Sequence, residues 1–245
     1  MTTQLAGKRL VVVGGGSGIG REIAAQAAAA GAIVTLAGRD PARVEAAASR
    51  IGNGVGAARV DLGDEASIRA LAEQVGELDY LVSLAAAHAN GPVGELDRTA
   101  VAGAFDAKVI GPIMLAKHLA PRFAAGGAML LFSGFVAWRP SPGLSVMATT
   151  NGAVSFLAAA LAVELAPVRV NALSPGVVDS GAWDRMGAEK DAFFRDVAVR
   201  NPARRVGQPA DIAAAALMAL TNPFLTGTTL HVDGGGRLEV PSANA

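Results

Sequence analysis

The tightest constraint on this chain lies in its first twenty residues. Four apolar residues, Leu10-Val11-Val12-Val13, run into Gly14-Gly15-Gly16-Ser17-Gly18-Ile19-Gly20, and a helical stretch follows. A continuous apolar run of this kind suits a strand buried on both faces. Glycines directly after it let the backbone turn tightly and come close to a bound group. A helix that opens on such a loop aims unpaired N–H groups and the positive end of its dipole at that group. The expected ligand is a phosphate, and the expected local fold is strand, loop, helix.

The rest of the chain repeats that theme. Short apolar runs alternate with longer helical stretches, the pattern of βαβ units and a parallel sheet. Strands are expected at Arg9–Val13, Ile33–Ala37, Val55–Asp61, Tyr80–Ala85, Ala128–Ser133, Arg169–Ser174 and Thr228–Val232. This gives an α/β fold: a doubly wound parallel sheet of about seven strands with helices on both faces, one domain over residues 1–245. The least regular stretch, about 177–207, is mixed in charge and holds Trp183, Met186, Phe193 and Phe194. It reads as a loop region over a substrate.

Composition narrows the function. At 245 residues with 51% hydrophobic and 17% charged side chains, the chain can bury a full core. Its formal net charge of zero argues against nucleic acid or an anionic membrane as a partner. No cysteine is present, so disulfides, thiolate metal sites and a cysteine nucleophile are excluded. His88, His118 and His231 lack ligand spacing, and no metal site is expected. Met1 to Lys8 shows no signal-peptide core, and no uninterrupted apolar run reaches the roughly 20 residues of a membrane helix. A soluble cytoplasmic protein is expected.

The glycine spacing Gly-x-x-x-Gly-x-Gly resembles that of the short-chain dehydrogenase/reductase family, whose fold is Rossmann-like. The likeness runs over nearly the whole chain. Asp61-Leu62 looks like the pair that contacts adenine. Arg169-Val170-Asn171-Ala172 and Ser174-Pro175-Gly176-Val177-Val178-Asp179-Ser180 are similar to the family's last strand before the nicotinamide and the loop over it. Leu225-Thr226-Gly227 and Val232-Asp233-Gly234-Gly235 match the C-terminal strand region. The resemblance implies a nicotinamide dinucleotide held by Gly14, Gly16, Ser17, Gly18, Ile19 and Gly20, by Asp61 and Leu62, by Ala85, and by Pro175, Gly176, Val178 and Ser180. It also implies a homodimer or homotetramer built on two long helices, about Val101–His118 and Leu144–Leu165.

The second strand points to NADP(H). An acid at its end would bind the ribose diol of NAD, but that position is Gly38. Arg39 follows, and a guanidinium can hold a 2′-phosphate in bidentate fashion. Asp40 before Pro41 reads as a helix N-cap, and Arg43 can add charge.

Where the resemblance implies a catalytic Asn, Ser, Tyr and Lys, this sequence departs at every position. Lys108 stands in the asparagine slot, Gly134 in the serine slot, Met147 in the tyrosine slot and Asn151 in the lysine slot. Thioether, hydrogen and carboxamide side chains do not transfer protons near neutral pH. Lysine and asparagine have traded helices, so an ammonium can enter the same pocket from the opposite wall. Pro112 denies the Lys108 carbonyl its helical donor. Ser133 neighbours the serine slot, although adjacent strand residues face opposite ways. His88, just past the fourth strand, is the side chain best suited to proton transfer near neutrality. Ser145, Thr150 and Asp179 complete the polar candidates near the pocket. At the cofactor floor, Val13 and Ser83-Leu84-Ala85-Ala86 replace the family's polar residues with largely apolar ones.

The expected catalytic candidates are therefore Lys108, Asn151, His88 and Ser133. The expected function is an atypical NADP(H)-dependent oxidoreductase acting on a small, apolar carbonyl compound or related electrophile. Two alternatives stand beside it: a catalytically silent NADPH-binding sensor or partner subunit, and a non-redox enzyme of elimination, isomerisation or cyclisation.

Overall fold

A computed structural model describes residues 4–238, so residues 1–3 and 239–245 of the expected domain lie outside the described residues. Seven parallel strands form one sheet in the order β3-β2-β1-β4-β5-β6-β7. They are β1 (Arg9–Val13), β2 (Ile33–Gly38), β3 (Gly56–Arg59), β4 (Leu78–Ser83), β5 (Phe123–Phe132), β6 (Arg169–Pro175) and β7 (Thr229–Val232). The main helices are α1 (Gly18–Ala29), α2 (Pro41–Ile51), α3 (Glu65–Val75), α4 (Arg98–Phe105), α5 (Gly111–Leu119), α6 (Ser145–Glu164), α7 (Lys190–Arg200) and α8 (Pro209–Thr221).

Strand alternation sorts the core into two layers. Leu10 and Val12 face Ile23 and Ala27 of α1 and Ile212 and Ala216 of α8. Val11 and Val13 face the other way, toward Ile68 of α3, Leu115 of α5 and Val154 of α6. Helices therefore cover both faces, as a parallel sheet requires. Strand order reverses between β1 and β4, which opens a crevice at their carboxyl ends, where such folds bind ligands.

Element order follows the sequence expectation, and the bounds differ in instructive ways. The edge strand β3 pairs on one side only and spans four residues rather than Val55–Asp61. β5 begins earlier than Ala128, because Phe123 pairs with Leu78 ahead of a register shift. The expected helix Val101–His118 starts at Arg98 and is interrupted: a π-helical turn, Asp106–Ile110, joins α4 to α5. Pro112 cannot donate to Lys108, and the widened turn lets Gly111 N–H bond to the Asp106 carbonyl instead.

The apolar tie expected at the cofactor floor is a backbone one. Val13 is buried against Ala37 and Leu81, and its carbonyl accepts from Leu84 N–H at 2.9 Å. The stretches Arg98–Arg122 and Ser145–Glu164 are long and apolar enough, by length and composition, to cross a membrane, which the search for uninterrupted apolar runs missed. Each packs Leu115 and Leu119, or Val154 and Ala158, into the sheet face.

Candidate functional site

The crevice is a cleft of about 1380 Å³ that runs from the glycine loop to the segment after β6. It exceeds the roughly 300–1,000 Å³ of common small-ligand pockets. One end is formed by the glycine loop and the start of α1. Gly14 adopts φ +89°, and a Cβ there would lie 2.9 Å from Ala85 N, so the loop must be bare to cross onto the end of β4. Gly18 at φ +52° faces the Ser180 carbonyl, which a Cβ would approach to 2.7 Å. These contacts bring Ala85 and Ser180 to the loop. Ser17 is the N-cap of α1, yet its side chain caps nothing, and no acid stands in the first turn. The positive end of α1 thus faces the cleft uncompensated.

Arg43 reaches over this loop and donates from Nη2 to Ser17 Oγ at 2.9 Å. Arg39 lines the cleft, exposed, with no hydrogen bond or ion pair to another described residue. Asp40 caps α2 by accepting from Arg43 N–H at 3.2 Å, as expected of an N-cap. A Cβ on Gly38 would already lie 3.0 Å from Val44 Cγ2, so a larger residue there would crowd α2. Asp61 and Leu62 line the wall. The Asp61 carboxylate accepts from Gly63 N–H, and Leu62 is buried under α5. Pro175, Gly176 and Val178 line the opposite wall.

The far end holds the traded residues. Lys108 rises from the π-helical turn, and its Nζ donates to the Phe132 carbonyl at 2.6 Å, with the Ser133 carbonyl at 3.4 Å. No carboxylate among the described residues pairs with it. Loss of water around the ammonium pushes its pKa down to about 8. Asn151 is buried on α6 and lines the cleft, and its Oδ1 has no hydrogen-bond partner among the described residues. A Cβ on Gly134 would lie 2.8 Å from Asn151 Nδ2, so the carboxamide fills the space a residue-134 side chain would take. Met147 lines the cleft one turn before Asn151.

The remaining candidates separate. His88 lines the mouth, and its pKa is pushed down by partial burial and by the positive charges of Lys108 and Arg185. Ser133 reaches the wall, but its hydroxyl donates to the Asn151 carbonyl at 2.7 Å and accepts from Ser155 Oγ at 3.3 Å. Its proton is committed to placing α6 on the sheet. Thr150 is buried and bonds back to the Val146 carbonyl at 2.9 Å, away from the cleft. Asp179 is held by Lys190 at 2.8 Å, and neither it nor Ser145 lines the cleft.

The segment 177–207 closes one side. Val178 and Gly207 bridge in parallel, Trp183 Nε1 donates to the Val178 carbonyl, and the Trp183 and Phe193 rings lie 4.7 Å apart. Lys190 ties Asp184, at 2.7 Å, to Asp179. Sequence reading missed this latch and Arg185, because both depend on how an irregular segment folds back on itself.

A doubly wound sheet with a bare glycine turn at its switch point and a long cleft at its carboxyl edge defines a dinucleotide-binding α/β protein. Comparison with known proteins agrees. The family model described as enoyl-(acyl carrier protein) reductase matches residues 13–236. The short-chain dehydrogenase/reductase ATR9 of Stachybotrys chlorohalonatus is 30% identical, over 96% of this chain and 99% of its own. The MalC reductase/Diels-Alderase of Malbranchea aurantiaca superposes with a TM-score of 0.91 at 26% identity, over 97% of this chain and 99% of that one. A small-chain dehydrogenase solved in complex with NADPH has a TM-score of 0.82 at 34% identity, over 95% and 99%. The chain belongs to the short-chain dehydrogenase/reductase family.

Proposed function

We propose that this protein is an NADP(H)-dependent oxidoreductase that reduces a small carbonyl compound or related electrophile, with Lys108 in place of a tyrosine as proton donor. The observation that carries this reading is Lys108 itself: an ammonium without a carboxylate partner, anchored on the Phe132 carbonyl in the cleft, with a pKa of about 8. General acids work best when their pKa lies near the operating pH.

The residues present fit a nicotinamide dinucleotide. The uncapped end of α1 and the bare turn at Gly14 suit its pyrophosphate, and the unpartnered Arg39 suits a 2′-phosphate beside Gly38. The orphaned Asn151 Oδ1 offers an acceptor to a ribose hydroxyl. When bound, the reduced nicotinamide supplies a hydride to the electrophile. Related structures are complexed with NADPH or with NADH, so they support a nicotinamide dinucleotide, and the choice of NADP(H) rests on Gly38 and Arg39.

An ammonium has three N–H donors, and two are directed at the carbonyls of Phe132 and Ser133. The third remains for a substrate oxygen. That bond polarises the carbonyl, and the proton moves to the oxygen as negative charge develops there. His88 lines the same cleft and feels the charge of Lys108. Trp183 and Phe193 give the 177–207 segment an apolar inner face that keeps water off the reacting carbon.

A second activity, ring formation on the same scaffold, is supported by the likeness to the MalC reductase/Diels-Alderase. A cleft that binds an apolar electrophile without a tyrosine acid suits such chemistry, which needs shape more than proton transfer. The test for the main reading is consumption of bound NADPH by a panel of ketones, enones and imines. Oxidation that depends on Lys108 supports it. Bound NADPH that persists against the whole panel removes it in favour of the non-redox or silent alternatives.

Exposed apolar side chains on α5 and α6 support a dimer through these helices. Phe156 and Val163 on α6 are 81% and 82% exposed, and Ile113 on α5 is exposed as well.

A further inference from the structure

The substrate end of the cleft brings two cations and a histidine together from three separate elements. His88 comes from the loop after β4, Lys108 from the π-helical turn and Arg185 from the segment after β6, and all three line the cleft. Arg185 makes no ion pair or hydrogen bond to another described residue, and Lys108 meets only backbone carbonyls. Of the acids nearby, Asp184 and Asp179 are engaged by a lysine, while Asp106 lines the cleft but is offset from Lys108. Lys190 holds Asp184 at 2.7 Å and Asp179 at 2.8 Å. Asp106 lines the cleft two positions before Lys108, a spacing that puts two side chains on different sides of a helical turn. Asp40 and Asp61 belong to the phosphate end, where they cap α2 and the turn at Gly63.

Cations without an ion-pair partner among the described residues are costly to hold together, and after burial the charges of Lys108 and Arg185 further depress the proton affinity of His88. A group that neutralises them completes the site. A guanidinium with free N–H donors pairs with a carboxylate in bidentate fashion. His88, Lys108 and Arg185 line the same cleft, and the charges of the latter two are felt at His88, so one bound molecule can meet all three. Met147, Trp183 and Phe193 offer an apolar wall for the remainder.

We infer that the substrate is an oxo carboxylate with an apolar body, its carboxylate held by Arg185 and His88 and its ketone oxygen by Lys108. This rests on the reductase reading above. In the step, the ketone carbon takes a hydride from the reduced nicotinamide and the C=O π pair takes a proton from the Lys108 ammonium. The products are the hydroxy acid and oxidised nicotinamide, and the lysine regains its proton from water.

The test is equilibrium binding to the protein–NADP+ complex, read by tryptophan fluorescence, where no turnover intervenes. Benzoylformate and 2-oxo-4-phenylbutanoate are each compared with their primary amides. The acids are expected to bind at least tenfold more tightly than the amides. Arg185→Gln should erase that preference, Arg185→Lys should restore part of it, and neither should change NADP+ affinity. Equal binding of acid and amide, tighter binding of the amide, or no binding of either overturns the inference. So does an acid preference that survives in Arg185→Gln. Acid preference without NADPH consumption leaves the carboxylate site standing and removes the reductase reading, so the two fail separately.

Discussion

The carboxamide of Asn151 stands where a side chain at position 134 would go: a Cβ on Gly134 would lie 2.8 Å from Asn151 Nδ2. Gly134 has φ −177°, an extended backbone that any residue adopts, so its small size answers to Asn151 and not to chain geometry. The two departures from the family pattern are one substitution in physical terms. Gly134→Ser alone is expected to destabilise the protein by about 1–3 kcal/mol, the usual cost of overpacking. Gly134→Ser combined with Asn151→Ala should recover most of that loss in thermal melts. Equal Tm values for Gly134→Ser and the parent would contradict the coupling.

Lys108 should cost stability while it serves chemistry. Its pKa falls from 10.5 in the unfolded chain to about 8 in the fold. The unfolded state therefore binds more protons between about pH 8 and 10.5, and stability contributed at this site rises with pH across that window. Below pH 8 both states carry the charge and the full penalty applies. Lys108→Met, similar in length and uncharged, is expected to raise Tm at pH 7. The gap to the parent should close as the pH climbs from 8 toward 10.5.

Arg39 has no other described partner, so its loss should read out on the cofactor alone. Charge-assisted hydrogen bonds contribute about 1.5–3 kcal/mol, which is roughly 10- to 150-fold in affinity. Arg39→Ala is expected to weaken NADPH binding by that order and leave NADH binding nearly unchanged, as measured by nucleotide fluorescence. A parallel loss for both nucleotides would place Arg39 elsewhere than the 2′-phosphate.

Phe156 and Val163 should mark an interface. Phe156→Asp with Val163→Asp is expected to give a monomer by light scattering without loss of secondary structure. An unchanged mass would move the interface to another face.

Much of this was legible in the sequence, for reasons that differ by element. β1 and the turn after it were readable because Leu10 to Val13 is buried on both faces and Gly14 must be bare. β3 was overestimated at its end because Val60 continues the apolar pattern but has left the strand, its N–H on the Gly38 carbonyl. The break at Asp106–Ile110 was hidden because only Pro112 announces it, and a π-helical turn absorbs a proline without ending the helix. In the site, the exchange of Lys108 and Asn151 was visible as residue identity. Its consequences were not: the Gly134 fit, the commitment of Ser133 to the Asn151 carbonyl and the Lys190 latch all join residues distant in sequence. Thr150 was misplaced because its nearness in sequence to Met147 does not tell which face of α6 it occupies, and its hydroxyl bonds back to the Val146 carbonyl.

The central claim, that Lys108 supplies the proton, is tested most directly by the pH dependence of single-turnover oxidation of bound NADPH, in the parent and in Lys108→Met. The acid form is required, so the parent rate should be level below about pH 8 and fall tenfold per unit above it. Lys108→Met should bind NADPH as tightly and lose roughly 10²- to 10⁴-fold in rate, with that limb gone. A variant that keeps the parent rate and the parent pH profile would contradict the account.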